Sequence, residues 1–356
     1  MIDLAEAVLP GHPDKLCDCI ADRLVDAAIA RHPRALVGVE VAIHRDTVFV
    51  TGCITTSPPM TPDDVDGVVR DVLARAGYGP EWPPDPSAVR VLTDLRLEPM
   101  DDALSALRSV SDDQAITIGW AGGVAENRSL PAAHRLAWRL ALLLDERRGS
   151  LGLGPDGKVV VGLPALGPPR VSFSMHHRPG ADRTALFALA QSVVEAAGLV
   201  GVAPEVNGGG DFDVGGSMGD NGLSGKKLVV DAYGPSVPIG GGAWSGKDPH
   251  KVDRLGAIRA RHLARVAVER GLARQALVRF GWFPGDRAPS LAELVLDGRP
   301  ADLRLLGPVD LTIAGTVRDL DLTRVRYAPR AARASWFQEP APWEGRDAAV
   351  AGRLVG

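Results

Sequence analysis

Hydrophobic residues along the chain follow two spacings, one typical of helices and one typical of strands. The segment "HPDKLCDCIADRLVDAAIA" repeats leucine and isoleucine every four residues, with Pro13 at the first helical position, and therefore predicts a helix. Two apolar runs at 36–43 and 47–54, separated by three polar residues, predict a β-hairpin. A second helix is predicted in "TPDDVDGVVRDVLARAGY", with Thr61 as its N-cap, and a strand in "VRVLT".

A similar set of helices and strands is predicted twice more along the chain. The second pass contains helix "AHRLAWRLALLLDERR", strands "KVVVGLP" and "RVSFSMHH", and helix "ADRTALFALAQSVVEAAG". The third contains strand "KKLVVDAY", helix "KVDRLGAIRARHLARVAVERG", and strands "QALVRFGWF" and "DLTIAGTV". The final segment "AARASWFQEPAPWEGRD" is irregular and aromatic, which favours a strap against the body. The three passes predict an α+β chain of three related lobes.

Composition narrows the function classes. The 356 residues are 45% hydrophobic and 24% charged, and the net charge of -4 gives no reason to expect nucleic-acid or membrane partners. No apolar run approaches the roughly 20 residues that span a bilayer, and the N-terminus lacks a signal-peptide layout. Three cysteines, Cys17, Cys19 and Cys53, cannot build a disulfide framework. We therefore expect a cytoplasmic protein.

One glycine-rich segment, "GGGAWSGKDPHKVDR", nearly matches the phosphate-binding pattern G-x-x-x-x-G-K-[ST]. Gly241, Gly246 and Lys247 are in register, but Asp248 occupies the position of the magnesium-binding hydroxyl. An ordinary P-loop is disfavoured because the glycines do not directly follow a strand. We expect Asp248 instead to cap a helix beginning at Pro249.

The N-terminus of that helix would point at the glycines and form an anion site. Lys247 and Lys251 could converge there on one polyanion, and Asp253 could hold a divalent metal on the same phosphates. The alternative for this segment is a capped helix with solvated charges.

Three further clusters combine glycine, aspartate and lysine: "GHPDK", "GPDGK" and "GGSMGDNGLSGKK". In the first, His12 precedes a helix and could meet a developing anion. Taken singly, the three segments are equally consistent with a helix cap, a turn and a surface loop. Together with the fourth they fit a polyphosphate with more than one Mg²⁺. No zinc-type His/Cys spacing and no G-x-S-x-G elbow is present.

These blocks resemble those of S-adenosylmethionine synthetases (methionine adenosyltransferases). "GHPDK", "DDQ" followed by "GWA", "GPDGK", "GGSMGDNGLSGKKLVVDAYG" and "GGGAWSGKDPHKVDR" occur in the family's order, and the resemblance runs from about residue 10 to "PAPWEGRD". It implies three interleaved lobes with pseudo-threefold symmetry, which we place at 1–100, 109–215 and 216–353. It also implies a homodimer or dimer of dimers with active sites between subunits.

The resemblance implies a two-step reaction. The sulfur of methionine attacks C5′ of ATP and expels tripolyphosphate, which is hydrolysed to pyrophosphate and phosphate. Two Mg²⁺ per site and K⁺ are the implied cofactors. Such catalysis consists mainly of positioning and electrostatic stabilisation.

The resemblance also carries residue roles. The implied catalytic residues are His12, Lys158, Lys227, Lys247 and Asp113. Nucleotide and triphosphate binding is implied for His12, Lys15, Asp156, Lys158, Phe212, Lys226, Lys227, Gly242, Ala243 and Lys247. The sulfur substrate would face Asp220, Lys251 and Cys53. The metal ligands would be Asp14 and Asp253 for Mg²⁺ and Glu40 for K⁺.

Departures from the family pattern concentrate at the sulfur end. The family's glutamate before "ITTS" is Cys53, "GDQG" has become "DDQA", and the glutamine-bearing loop has no clear counterpart. Losing a carboxylate that pairs with an ammonium predicts weak methionine binding unless Asp94, Asp101 or Asp102 replaces it.

Three functions therefore stay open. The first is a methionine adenosyltransferase, and the second is a relative with the same chemistry on another thioether or nucleoside triphosphate. The third is a non-catalytic subunit or a plain triphosphate-binding module. Binding alone would not need His12, Asp14, Lys247 and Asp253 together, which disfavours the third.

Overall fold

Three four-stranded β-sheets, each covered on one face by a long helix, form the body of the computed structural model, which describes residues 2–122 and 130–344. The strands are β1 Ile2–Val8, β2 Leu36–His44, β3 Thr47–Thr55, β4 Arg90–Glu98, β5 Ala115–Gly122, β6 Gly157–Pro164, β7 Arg170–Met175, β8 Glu205–Val206, β9 Gly222–Leu223, β10 Gln275–Trp282, β11 Leu291–Leu296 and β12 Arg299–Ala301. The helices are α1 Pro13–Arg31, α2 Pro62–Ala76, α3 Asp102–Leu107, α4 Ala132–Arg147, α5 Arg183–Ala196, α6 Leu228–Asp231, α7 Val252–Glu269, α8 Ile313–Asp319 and α9 Ala328–Arg333.

Each sheet draws strands from distant parts of the chain. The strand orders are β4-β3-β2-β9, β1-β6-β7-β8 and β12-β11-β10-β5, and they pack against α1, α4 and α7 respectively. The α+β class and the interleaving are thus confirmed. The lobe limits 1–100, 109–215 and 216–353 stay a prediction, since every sheet uses strands from more than one of those regions. Residues 345–353 of the last region lie outside the described ranges.

Most predicted elements are confirmed. α1 begins at Pro13, β2 and β3 pair antiparallel, and Thr61 caps α2 with a capping box. Two predicted strands are wrong. "KKLVVDAY" contains the short helix α6, and "DLTIAGTV" contains α8, where the Thr312 side chain accepts a hydrogen bond from the Gly315 N–H at 2.9 Å. Short apolar runs do not distinguish a strand from a buried helical turn.

Helix α1 connects the lobes through a row of aspartates at four-residue spacing, all on one buried face. Asp18 accepts a hydrogen bond from the Gly225 N–H at 2.7 Å, and Asp22 accepts one from the Gly246 N–H at 3.0 Å. Asp26 accepts the Tyr327 N–H at 2.9 Å. Asp22 also pairs with the buried Arg254. One helix therefore fixes several loops of the molecule.

Two apolar cores lie beneath the sheets. The larger one joins the sheets covered by α1 and α7, and the smaller one lies beneath the sheet covered by α4. None of the helices in the described ranges is long and apolar enough to cross a membrane.

Candidate active site

Three of the glycine-rich motifs meet at the N-terminus of α1. A Cβ on Gly11 would lie 2.3 Å from the carbonyl oxygen of Pro155, so "GHPDK" and "GPDGK" approach each other at a contact that only glycine permits. The N–H of Leu223, in "GGSMGDNGLSGKK", donates to Oδ1 of Asp14 at 3.0 Å. The histidine cluster formed here consists of His12, Asp14, Asp156, Lys158, Lys226 and Lys227.

His12 is the N-cap of α1, and its Nδ1 accepts the Asp14 N–H at 3.2 Å. Burial, with the nearby Lys158 ammonium, lowers the pKa of His12 to about 3, so the ring is neutral. Because Nδ1 accepts, we assign the proton to Nε2. That Nε2 is buried and has no hydrogen-bond partner in the described structure. It is a donor held ready for an acceptor oxygen.

Asp14 lies between two lysines. Its Oδ2 is 2.7 Å from Nζ of Lys227, and its Oδ1 is 3.7 Å from Nζ of Lys226. Burial alone would raise the pKa of Asp14, but hydrogen bonds from Lys227 and the Leu223 N–H outweigh it and hold the pKa below its usual value. The carboxylate is therefore ionised and suited to a cation.

Asp156 forms the opposite wall of the histidine cluster. Its Oδ2 accepts the Gly216 N–H at 2.9 Å, while its buried Oδ1 has no partner in the described structure. Burial raises the pKa of Asp156 to about 6. Lys158 is exposed at the start of β6, and Asp220 is exposed nearby, with its Oδ1 accepting the N–H of Asn221.

Two histidines connect Phe212 to this cluster, and the sequence patterns did not single out either of them. The Phe212 N–H donates to Nε2 of His177 at 3.1 Å, and its ring lies 5.4 Å from the ring of His176. The His176 N–H in turn donates to the Asp156 carbonyl at 3.3 Å. The spacing of these histidines in the sequence is not typical of a metal or catalytic site. In the structure they hold the loop that carries Phe212.

Lys15 differs from its predicted role. Its side chain is fully buried, with Nζ 2.5 Å from Asp231 and 3.0 Å from Asp18. Burial would lower the pKa of Lys15, but the two carboxylates outweigh it and raise the pKa. The ammonium thus faces the interior, where it holds α6 against α1 instead of facing a triphosphate.

The fourth motif forms a second cluster at the start of α7. This α7 cluster consists of Gly242, Lys247, Lys251, Asp253 and Asp112. Nζ of Lys247 lies 2.5 Å from Oδ2 of Asp253, and a Cβ on Gly242 would lie 2.1 Å from Oδ1 of the same carboxylate. Lys251 is the N-cap position and pairs with Asp112. The neighbouring Ala243 faces Gly225 of the glycine-rich loop.

The predicted cap of α7 is wrong. The helix begins at Val252, not Pro249, and Asp248 lies before it. Asp248 is buried, accepts the Val37 N–H at 2.8 Å and pairs with Arg108. Burial would raise its pKa, but Arg108 and these hydrogen bonds hold the pKa far below the usual value. Asp248 therefore fastens the segment after α3 instead of capping a helix.

Asp113 and two of the proposed replacement acids, Asp101 and Asp102, lie at or after α3. Asp113 is exposed, and its Oδ1 accepts the Gln114 N–H at 2.8 Å. Asp101 caps α3 by accepting the Leu104 N–H at 2.7 Å, and Asp102 is exposed in the first turn of that helix. It is Asp112, which sequence reasoning missed, that reaches Lys251.

The two clusters are separated along β2. Lys247 pairs with Gly38, whereas Leu223 of the histidine cluster's loop pairs with Ala42, four residues further on. At the usual strand rise this separation is roughly 13 Å. Glu40 lies between them, and its Oε2 accepts the hydroxyl of Ser224. Cys53 pairs with Gly38 on one side and Arg96 on the other, so it lies in the same row as Lys247.

Within the described ranges, no three His, Cys, Asp or Glu side chains are arranged to hold a metal ion. Each cluster instead offers one candidate carboxylate, Asp14 or Asp253, next to lysines. Such a donor set suits Mg²⁺ that keeps water and takes further ligands from phosphate oxygens.

Comparison with known proteins shows the family to which the chain belongs. Residues 2–96 match the S-adenosylmethionine synthetase N-terminal domain, and residues 214–345 match the C-terminal domain of the same family. The chain is 36% identical over 388 residues to S-adenosylmethionine synthase 1 of Rhodospirillum rubrum, covering 99% of this chain and 97% of that one. It is 34% identical over 397 residues to a Thermus thermophilus S-adenosylmethionine synthase, covering 96% and 95%.

A solved structure extends the similarity to the whole fold. The structure described as an unusual S-adenosylmethionine synthetase from Campylobacter jejuni superposes with a TM-score of 0.88 at 27% identity, covering 98% of this chain and 97% of that one. Sequence, fold and the two clusters lead to one conclusion: the chain belongs to the S-adenosylmethionine synthetase family of transferases.

Proposed function

We propose that this protein transfers the adenosyl group of ATP to the sulfur of methionine. A sulfur lone pair forms the bond to C5′, the C5′–O5′ bond breaks, and its electron pair leaves with tripolyphosphate, which water then splits into pyrophosphate and phosphate. One observation carries the proposal: the buried, unpartnered Nε2 of a neutral His12 next to a group of lysines. A donor aimed at the leaving oxygen stabilises charge that appears only in the transition state.

The surrounding residues divide the remaining work. Lys158, Lys226 and Lys227 neutralise the triphosphate from the histidine cluster, and Lys247 does so from the α7 cluster. Lys227 pairs with Asp14 and Lys247 pairs with Asp253, so these two ammonium groups are fixed before reaction and need little reorganisation when charge develops. Phe212 stacks on the base, since its ring packs on His176 and its backbone N–H is held by His177.

We propose Asp14 and Asp253 as the carboxylates that hold two Mg²⁺, and Glu40 as a ligand for K⁺. Bound Mg²⁺ supplies positive charge to the phosphate oxygens beyond what the lysines provide. Glu40 has one oxygen engaged by Ser224, which leaves the other for a cation.

We also propose that the active site is completed by a second copy of the chain, as a homodimer or dimer of dimers. The histidine cluster places the candidate metal ligand Asp14 next to lysines, and the α7 cluster does the same with Asp253. The two lie apart along β2, which suits two half-sites. All three sheets expose apolar side chains on the face opposite their helix, among them Leu4, Phe49, Leu92, Ile116 and Leu291. Exposed apolar faces of this kind are typical of protein–protein interfaces. Cytoplasmic localisation stays a prediction.

A second candidate substrate is favoured by the row containing Cys53. The family's carboxylate is absent there, and the register neighbours on that face are Arg96 and the Lys247 segment. Asp94 lies two residues before Arg96 on the same face of β4, and it pairs with Thr51 of β3. Another thioether, or another nucleoside triphosphate, would suit this electropositive row if Asp94 does not reach the methionine ammonium.

Product analysis separates these functions. The protein is incubated with each of the four nucleoside triphosphates, Mg²⁺ and K⁺, with and without methionine, and the products are identified by mass spectrometry. S-adenosylmethionine from ATP supports the first function. Another nucleosyl-sulfonium, or turnover only when methionine is replaced by a different thioether, supports the second. If no sulfonium and no triphosphate cleavage appear under any condition, both are rejected.

A further inference from the structure

A cavity of about 460 Å³ opens on the helical side of the molecule. Its walls come from α1, α2, the end of α4 and α9, and none of its lining residues belongs to the histidine cluster or the α7 cluster. The volume lies within the range of small-molecule sites in proteins. The cavity therefore requires an account separate from the proposed transferase reaction.

Charged residues dominate the rim of this cavity. Four arginines and two aspartates line it, an excess of two positive charges: Arg23, Arg75, Arg148, Arg333, Asp71 and Asp145. Apolar side chains, among them Leu16 and Val72, form part of the remaining wall. A cationic rim over a partly apolar floor suits a small anion.

The aspartates neutralise only part of this charge. Asp71 accepts Nε of Arg75 at 2.7 Å and lies 3.9 Å from Nε of Arg23, so one carboxylate serves two guanidinium groups. Asp145 accepts Nε of Arg148 at 2.9 Å, and the Arg148 Nη2 also donates to the Ala76 carbonyl at 3.1 Å. These bonds fix the direction of the Arg75 and Arg148 guanidinium groups before any ligand binds.

Arg333 is the exception. Its guanidinium, at the last residue of α9, has no hydrogen-bond or ion-pair partner among residues 2–122 and 130–344. The position of α9 itself is fixed, because Asp26 of α1 accepts the N–H of Tyr327 and of Ala328 at 2.9 and 3.1 Å. Within the described ranges, Arg333 is thus the one cavity arginine whose guanidinium has neither a hydrogen bond nor an ion pair, and it stands on a rigid support.

We propose that this cavity binds a small dianion, either a phosphate group or a dicarboxylate. Guanidinium groups match the oxygens of both through paired, charge-assisted hydrogen bonds. The excess of two positive charges sets the charge of the ligand, and Arg333, with Arg23 at 3.9 Å from its nearest carboxylate, supplies donors that have no hydrogen bond to a carboxylate of the described residues. This site is additional to the proposed transferase function and does not depend on it.

Isothermal titration with inorganic phosphate, and separately with succinate, tests the site in the full-length protein. Arg333→Gln removes the unpaired charge, and Ala332→Phe fills the cavity without changing its charge. We expect each variant to weaken binding at this site about tenfold, the effect of losing roughly one charge-assisted hydrogen bond or the space for the ligand. The tighter of the two ligands identifies the group that the site accepts.

Two controls make the result decisive. Arg304→Gln removes an exposed arginine paired with Asp302 outside the cavity and should leave binding unchanged. Lys158→Gln weakens anion binding at the histidine cluster and should leave the affinity of the cavity for the anion unchanged. The proposal is overturned if Arg333→Gln and Ala332→Phe bind like Arg304→Gln, if Lys158→Gln abolishes all binding, or if neither anion binds.

Discussion

The histidine cluster and the α7 cluster each pair an aspartate with lysines, but their surroundings differ. His12 and Asp14 are each 1% exposed, and three separate motifs fix them. In the α7 cluster Asp253 is 12% exposed and Asp112 is 41% exposed. Two of the departures from the family pattern, Asp112 and Cys53, lie at or beside the α7 cluster. A buried cluster tolerates few substitutions, whereas an open one can change its ligand without unfolding the chain.

The sharpest test of this contrast removes the donor of the buried cluster. His12→Ala should lower the rate of sulfonium formation about 10²- to 10³-fold, the usual cost of losing a donor to developing charge, and leave nucleotide affinity within about threefold. Steady-state kinetics and nucleotide titration measure the two effects.

His12→Asn is the matched control, because asparagine is also a good N-cap. We expect it to keep the stability that His12→Ala loses, about 1 kcal/mol, while turnover stays low because the shorter side chain does not place a donor at Nε2. Wild-type turnover in His12→Ala would remove the assigned role.

The second prediction tests the burial of the same cluster through pH. The folded pKa of Asp156 is raised to about 6 from an ordinary 3.8, so this group favours the folded state below pH 3.8, and that contribution is lost as pH rises through 6. Asp156→Asn has no such loss. The difference in unfolding free energy between variant and wild type should therefore shift by about 2–3 kcal/mol in favour of the variant between pH 4 and 7.

Urea unfolding at four pH values across this window measures the shift. If the unfolding free energies of the two proteins change in parallel with pH, burial does not raise the pKa of the Asp156 carboxyl.

The third and smallest effect concerns Cys53, which lies beside the α7 cluster. Cys53→Glu restores the family's carboxylate in the row next to Arg96, and we expect the KM for methionine to fall about tenfold as an ammonium regains its partner. Cys53→Gln matches the shape without the charge and should change KM much less. An unchanged KM in both would show that another acid already binds the ammonium, or that methionine is not the substrate.

Sequence reasoning reached the motifs but not the contacts between distant residues. The lysines and aspartates of both clusters stand in glycine-rich segments that local chemistry marks. In contrast, Lys251 and Asp112 are 139 residues apart, and Arg108 and Asp248 are 140 apart, so no local pattern links them. Lys15 illustrates the reverse failure, since its motif suggests an exposed cation and only the fold reveals its two buried partners.

The row of aspartates on α1 has a mechanical consequence. Asp14 belongs to one cluster and Asp22 holds the loop of the other, and the helix keeps them about 12 Å apart. In the proposed pair of subunits, each active site would contain the front of one helix and the loop tied to the rear of the other. The two α1 helices would then link the two active sites, and a displacement in one active site would tilt α1 as a rigid body and so move the other site.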